Sequence, residues 1–195
     1  MWYYFMHRHF KIYKPYGFLS QFVSNQRTRR SKKMLGELGD FPEGTMSIGR
    51  LDEDSEGLLL LTTNGKVSAE ITGGNVEKEY YVQVDGLIKE KDIEKLSNGV
   101  EIGINGKKYL TKPCEARMLE SLPDFPPRAK PIRDERHGPT SWISITLTEG
   151  KFRQVKKMTA AAGFPTLRLV RVRIGQEKLD SLNSGEVIEV KNFTY

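Results

Sequence analysis

Asp52 is the acid around which this chain could build chemistry. It stands two residues after Arg50, and the polar stretch from Asp52 to Glu56 gives way at Gly57 to four consecutive leucines, Leu58 to Leu61, before the run stops at Asn64-Gly65. A short apolar run closed by Asn-Gly reads as a core strand ending in a tight turn. Asp52 is therefore expected on the connection entering that strand, where a rigid element would hold its carboxylate as a nucleophile or proton acceptor. The same residues also allow a blander role. Asp-x-x-Glu with a serine between is the composition of a turn or a helix N-terminus, with acids capping backbone N–H groups. Spacing alone leaves both readings open, and Glu53, Asp54 and Glu56 read as turn and capping groups.

Other chemistries have little to stand on. His7 and His9, two apart, would share a strand face and could ligate a metal, but His137 is the only other histidine and Cys114 the only cysteine. They read as surface histidines, and no metal is expected. There is no G-x-G-x-x-G, Walker A or G-x-S-x-G motif, and Ser55 and Ser141 have no evident histidine partner. No cofactor is expected.

The elements that must position Asp52 read as a mixed α and β order. Strands are predicted over residues 10–13, 58–61, 80–84, 109–118, 142–147, 167–174 and 187–190. Short helices are predicted near 34–38, 67–71 and 87–96, the last stopping at Asn98-Gly99, with an amphipathic helix over 155–162. Residues 122–139 break the pattern. They hold five of the nine prolines together with Arg128, Lys130, Arg133 and Arg136, so a long loop is expected, its charge favouring an RNA contact over a mere linker.

At 195 residues, the chain suits one compact domain or two half-domains and can bury roughly 70% of its unfolded surface. One cysteine rules out an internal disulfide and suits a reducing compartment. No apolar run approaches a membrane span, and His7, Arg8 and His9 interrupt the aromatic start, so no membrane association and a cytoplasmic location are expected. The formal charge of +6 is uneven: Arg27, Arg29, Arg30, Lys32 and Lys33 lie within seven residues, and seven basic residues with no acid run from Lys151 to Arg173. Clustered positive charge is the footprint of phosphate contacts. Arg171 and Arg173 alternate on a predicted strand, which would place both on one face.

The string G-R-L-D-x-x-S-x-G-L-L-L-L-T-x-x-G around Asp52 resembles motif II of the pseudouridine synthases, in the branch that modifies ribosomal RNA. Lys14-Pro15-Tyr16-Gly17 resembles motif I, Lys78-Glu79-Tyr80-Tyr81-Val82 the K-x-Y segment, and residues 149–158, E-G-K-F-R-Q-V-K-K-M, motif III. The four occur in family order between Lys14 and Met158. Ser20-Gln21-Phe22, Pro131-Ile132-Arg133, Pro139-Thr140-Ser141-Trp142 and residues 159–171 narrow the likeness to members acting on the large subunit.

The resemblance implies an α+β pseudouridine synthase fold: one catalytic domain over 1–195, made of two α+β halves with a mixed, mainly antiparallel sheet flanked by helices. Only thirteen residues precede motif I, so the S4-type RNA-binding domain of many relatives is not expected. It also implies that the chain isomerises a uridine of 23S rRNA as a monomer. Asp52 would start glycosidic cleavage, and Lys156, where relatives often have arginine, would pair with it and keep it ionised. Tyr80 would stack on the flipped uracil, its neighbour Tyr81 being the core aromatic, and Arg50 would fill the space left by the extruded base or hold its phosphate. Lys14, Arg27, Arg29, Arg30, Arg153, Lys157, Arg171 and Arg173 are the remaining expected RNA contacts. The alternatives are a non-catalytic RNA-binding assembly factor on the same scaffold and a metal- or nucleotide-dependent enzyme.

Overall fold

The computed structural model describes residues 7–23 and 32–195. In chain order the elements are β1 (His9–Lys14), β2 (Phe18–Leu19), β3 (Lys33–Met34), a 3-10 turn (Leu35–Glu37), β4 (Met46–Ile48), β5 (Glu56–Thr62), α1 (Gly65–Gly73), β6 (Lys78–Asp85), α2 (Glu90–Ser97), β7 (Glu101–Ile104), β8 (Lys107–Leu110), β9 (Glu115–Met118), a second 3-10 turn (Glu135–His137), β10 (Thr140–Leu147), α3 (Gln154–Ala161), β11 (Thr166–Ile174), β12 (Glu177–Lys178) and β13 (Val187–Val190). Two compact units result, Met1–Val76 with Ile174–Tyr195, and Glu77–Arg173.

In the first unit β1 lies between β13 and β5, antiparallel to both, and β4 pairs β5. Every residue of β5 is buried, as its leucine run requires, and each buried leucine contributes roughly 1.5–3 kcal/mol. Register puts Phe10 opposite Leu61 and Ile12 opposite Leu59, and these four join Leu35 in a cluster flanked by Phe22, Leu38, Phe41 and Val187. Asn64-Gly65 does not make the expected tight turn. Asn64 is the N-cap of α1, its Oδ1 accepting from the amides of Lys66 at 3.0 Å and Val67 at 3.4 Å. An asparagine that can satisfy orphan helix amides is as good a helix start as a turn.

In the second unit β10 is central between β6 and β9, antiparallel to both. Its core gathers Val82 and Val84 from β6, Ile143 and Ile145 from β10, Ile93 and Leu96 from α2, and Val155 and Met158 from α3. The single strand expected over 109–118 is two strands. Pro113 has no N–H to continue a ladder, and β8 turns back on β7 as a hairpin, closed by Asn105 and Gly106, both at positive φ. The loop over 122–139 is docked on the sheet. Phe125 packs against Tyr81 and Trp142, with ring centroids 6.1 and 5.9 Å away, and the Arg168 guanidinium lies 5.4 Å over its ring. Arg168 donates to the Pro126 carbonyl at 2.8 Å, and Arg133 forms an ion pair with Asp85. Arg133, counted among the loop charges that favoured RNA, thus works as a tether.

Candidate active site

Asp52 opens a tight turn, with the amide of Ser55 donating to its carbonyl at 3.1 Å, and β5 begins one residue later. The turn and the rigid-strand readings are thus both realised: the acid sits on a turn fixed to a wholly buried strand. Its position is set by Ser20, which is 4% exposed. The Ser20 hydroxyl donates to the Leu51 carbonyl at 2.8 Å and accepts from the Leu51 amide at 2.9 Å, fixing both polar groups of the residue before the acid. A second tie runs from the Gly17 amide to the Glu53 carbonyl at 2.8 Å, where Gly17 has φ +86, a conformation that glycine adopts without a Cβ penalty. Glu53 also forms an ion pair with Lys32.

Lys14 corrects an expectation. Its side chain is fully buried, with Nζ donating to the carbonyls of Pro15 at 3.0 Å and Phe18 at 2.7 Å. Burying an ammonium is costly unless it is hydrogen-bonded, and here it braces the loop that carries Gly17 and Ser20 instead of facing RNA. Arg50 is exposed and lines a groove of about 830 Å³ with Ser20, Ser47, Gly49, Ser68 and Thr72. Arg27, Arg29 and Arg30 lie outside the described residues. His9 is a second correction: it is buried, hydrogen-bonded to Thr62 Oγ1 at 2.9 Å and set edge-on to Phe193. Burial, then the charge of His7, push its pKa down.

In the second unit Tyr80 and Tyr81 take opposite faces of β6, as strand alternation demands, and the ring that faces the core is Tyr80, not Tyr81 as expected. Tyr80, half-buried, packs against the core cluster to which α3 contributes Val155 and Met158, whereas Tyr81 lies under Phe125 of the docked loop. Lys156 is half-buried on α3. Lys157 donates to the Gly103 carbonyl at 2.7 Å. Arg153 is the N-cap of α3 in the left-handed conformation, φ +52. That strained position is held by a clasp unforeseen from sequence. Glu149 accepts from Tyr109 Oη at 2.5 Å, the Lys112 amide at 2.9 Å and Gln154 Nε2 at 2.6 Å, while Gln154 Oε1 accepts from the Lys151 amide at 2.9 Å. Burial alone would push the Glu149 pKa up, but these three donors and the charge of Lys112 hold it below the usual carboxylate range. The signal was present as the spacing of Glu149 and Gln154 in motif III.

The basic strand β11 does not present two arginines to solvent. Arg171 is buried, and Arg173 is engaged by Glu77 at 3.0 Å and Glu79 at 3.1 Å, so the footprint expected at Arg173 is neutralised by neighbouring acids. Glu79 also accepts from Ser144 at 2.8 Å. Burial would raise its pKa, yet the hydrogen bonds from Ser144 and Arg173, with the charges of Arg173 and Arg117, lower it. Lys78 was given no role of its own, and its pKa is pushed down by burial and then by the positive charge of Arg171. The Cys114 thiol is pushed up to about 11 by burial and by Glu149, which leaves it inert as a nucleophile.

Residues 8–161 fit the RNA pseudouridylate synthase family, and the chain belongs to that family. It is 43% identical over 87% of its length to the ribosomal large subunit pseudouridine synthase E of Xanthomonas axonopodis pv. citri, of which it covers 86%. It is 40% identical, over 91% of this chain and 71% of the relative, to the protein of the same name from Vibrio parahaemolyticus. A solved crystal structure of a pseudouridylate synthase superposes with a TM-score of 0.74 at 30% identity, covering 94% of this chain and 70% of that one.

Proposed function

We propose that this chain isomerises one uridine of large-subunit 23S ribosomal RNA to pseudouridine. The reaction breaks the C1′–N1 glycosidic bond, turns the uracil and rejoins it to C1′ through C5, and the proton leaving C5 is balanced by one gained at N1. No electron transfer or energy input is required, so a carboxylate and a pocket that holds the flipped base suffice. Asp52 starts the cleavage. The observation that carries this role is the double hydrogen bond of Ser20 to Leu51, since a nucleophile or base gains most when its backbone is held before substrate arrives. Lys156 holds and orients the aspartate, and as a lysine it does so as a point charge without the bidentate fork of an arginine. Tyr80 stacks on the uracil, and its hydroxyl takes part in moving the proton. Arg50, exposed in its groove, holds the phosphate or the space of the extruded nucleotide. The enzyme acts as a monomer in the cytoplasm, where its substrate is made, and among the described residues no helix is long and apolar enough to cross a membrane.

The test is Asp52→Asn, which keeps shape and removes charge. Pseudouridine formation on a 23S fragment is expected to stop, while RNA affinity stays within a few-fold, because phosphate contacts dominate binding. Measurable turnover by this variant would remove Asp52 from the chemistry.

A further inference from the structure

Phe152 is 66% exposed, on the loop between β10 and α3. Its loop is not free to fold it away. The Glu149–Gln154 clasp fixes its loop to Tyr109 and Lys112 beside β8, and Lys157 ties α3 to the Gly103 carbonyl in β7. The Lys157 ammonium lies 5.1 Å from the centroid of the Phe152 ring, covering one face and leaving the other for a ligand. The Lys151 ammonium lies 5.1 Å from the Tyr109 ring, and Lys107, Lys108 and Lys112 are exposed on and beside the same hairpin. The acid Glu101 is taken up by Lys108 at 2.9 Å. A rigid aromatic face bordered by ammonium groups is complementary to a ligand that is flat and anionic at once. An acidic peptide would use the charges and leave the ring in water, whereas a nucleotide uses both.

We propose that Phe152 and the lysine-bearing β7–β8 hairpin form a second RNA contact surface, on which an unpaired base other than the isomerised uridine stacks against Phe152 while its phosphates meet Lys112, Lys151 and Lys157. The proposal rests on the reading that the substrate is RNA and adds where a further nucleotide is held.

The test uses Phe152→Leu, which keeps apolar bulk and loses the π face, and Phe152→Trp, which enlarges it. Thermal unfolding of both is compared with the parent protein, and a 23S fragment serves as the RNA. For Phe152→Leu, Kd and KM are expected to rise roughly ten- to a hundredfold with kcat unchanged. Phe152→Trp retains parental affinity, and the emission of the introduced indole is quenched when RNA is added. A Phe152→Leu variant that binds and turns over RNA like the parent, or a Phe152→Trp variant whose emission ignores bound RNA, overturns the proposal. The parent reading fails separately: if the parent protein forms no pseudouridine in large-subunit RNA while Phe152→Leu still weakens RNA binding, the surface stands and the assigned reaction falls.

Discussion

Ser20→Ala isolates how much of the site depends on one buried hydroxyl. The Ser20 side chain makes two hydrogen bonds to Leu51, at 2.8 and 2.9 Å, in a place where Ser20 is 4% and Leu51 7% exposed. Two such bonds contribute about 1 kcal/mol each, and stranding a buried amide adds part of a further 1–3 kcal/mol. The sum is about 2–3 kcal/mol. For a chain of this size about 1 kcal/mol moves Tm by roughly 2–4 °C, so calorimetry should show a fall of roughly 4–12 °C. Because Leu51 precedes Asp52, loosening its backbone also moves the carboxylate, and a misplacement of order 1 Å costs up to about a hundredfold in rate. Single-turnover pseudouridine formation on the 23S fragment should fall by roughly ten- to a hundredfold, with RNA affinity little changed. Ser20→Gly leaves room for a water molecule to bridge the two groups and should recover part of the stability. If Ser20→Ala melts within about 1 °C of the parent and keeps its rate, the hydroxyl does not position the aspartate.

Lys14→Met should lower stability by about 2–4 kcal/mol by stranding the carbonyls of Pro15 and Phe18, without altering the slope of log Kd against log salt, whereas loss of a phosphate contact would reduce that slope by roughly 0.7–0.9. Tyr80→Phe should reduce turnover by orders of magnitude with little effect on binding, while Tyr81→Phe, whose ring keeps its place under Phe125, should be nearly silent; a damaging Tyr81→Phe would reverse the two roles. Glu149 has a lowered folded pKa, so the stability it contributes is fully present above its unfolded value of about 4.3 and is lost as pH falls through the lower folded value. The stability gap between the parent and Glu149→Gln should therefore be constant near neutral pH and close on acidification below about pH 4; a gap independent of pH would mean that the carboxylate charge is not what holds the clasp.

Much of the fold could be read locally. The four leucines of β5 can only be interior, and the Asn98-Gly99 stop after α2 falls where the helix ends, Gly99 at φ +95 with its missing Cβ only 2.4 Å from the Thr111 carbonyl oxygen. Residues whose role depends on distant partners were not legible. Nothing within Lys14-Pro15-Tyr16 says that the lysine turns inward onto its own loop, because a buried ammonium and a solvated one share the same neighbours in sequence. Two of the three Asn-Gly pairs were read the wrong way round: the turn was placed at Asn64-Gly65, which starts a helix, and missed at Asn105-Gly106, where both residues take the positive φ that a two-residue hairpin needs. The acids at 77 and 79 that take up Arg173 lie 94 to 96 positions away, beyond any local pattern. Within the candidate site, Asp52, Tyr80 and Lys156 were marked by motif and given a role, whereas Ser20, Glu149 and Gln154 stood in the same motif segments without one, because the backbone groups they hold are visible only in the geometry.

The pairing of β1 with β13 has a consequence for how the chain is made. Residues 9–12 lie opposite residues 187–190, so one edge of β1 is closed by a strand that comes far later in the sequence, whereas Glu77–Arg173 forms a unit of its own from one continuous segment. During synthesis that segment can fold as it emerges, while β1, which ends at the first residue of motif I, keeps one edge open until β13 has been made. An open edge is a template for pairing with another chain, and β1 keeps one for as long as residues 15–186 take to be made. The unit that holds Asp52 is thus completed after the unit that holds Tyr80, and the unpaired edge of nascent β1 is where a chaperone would act on this chain.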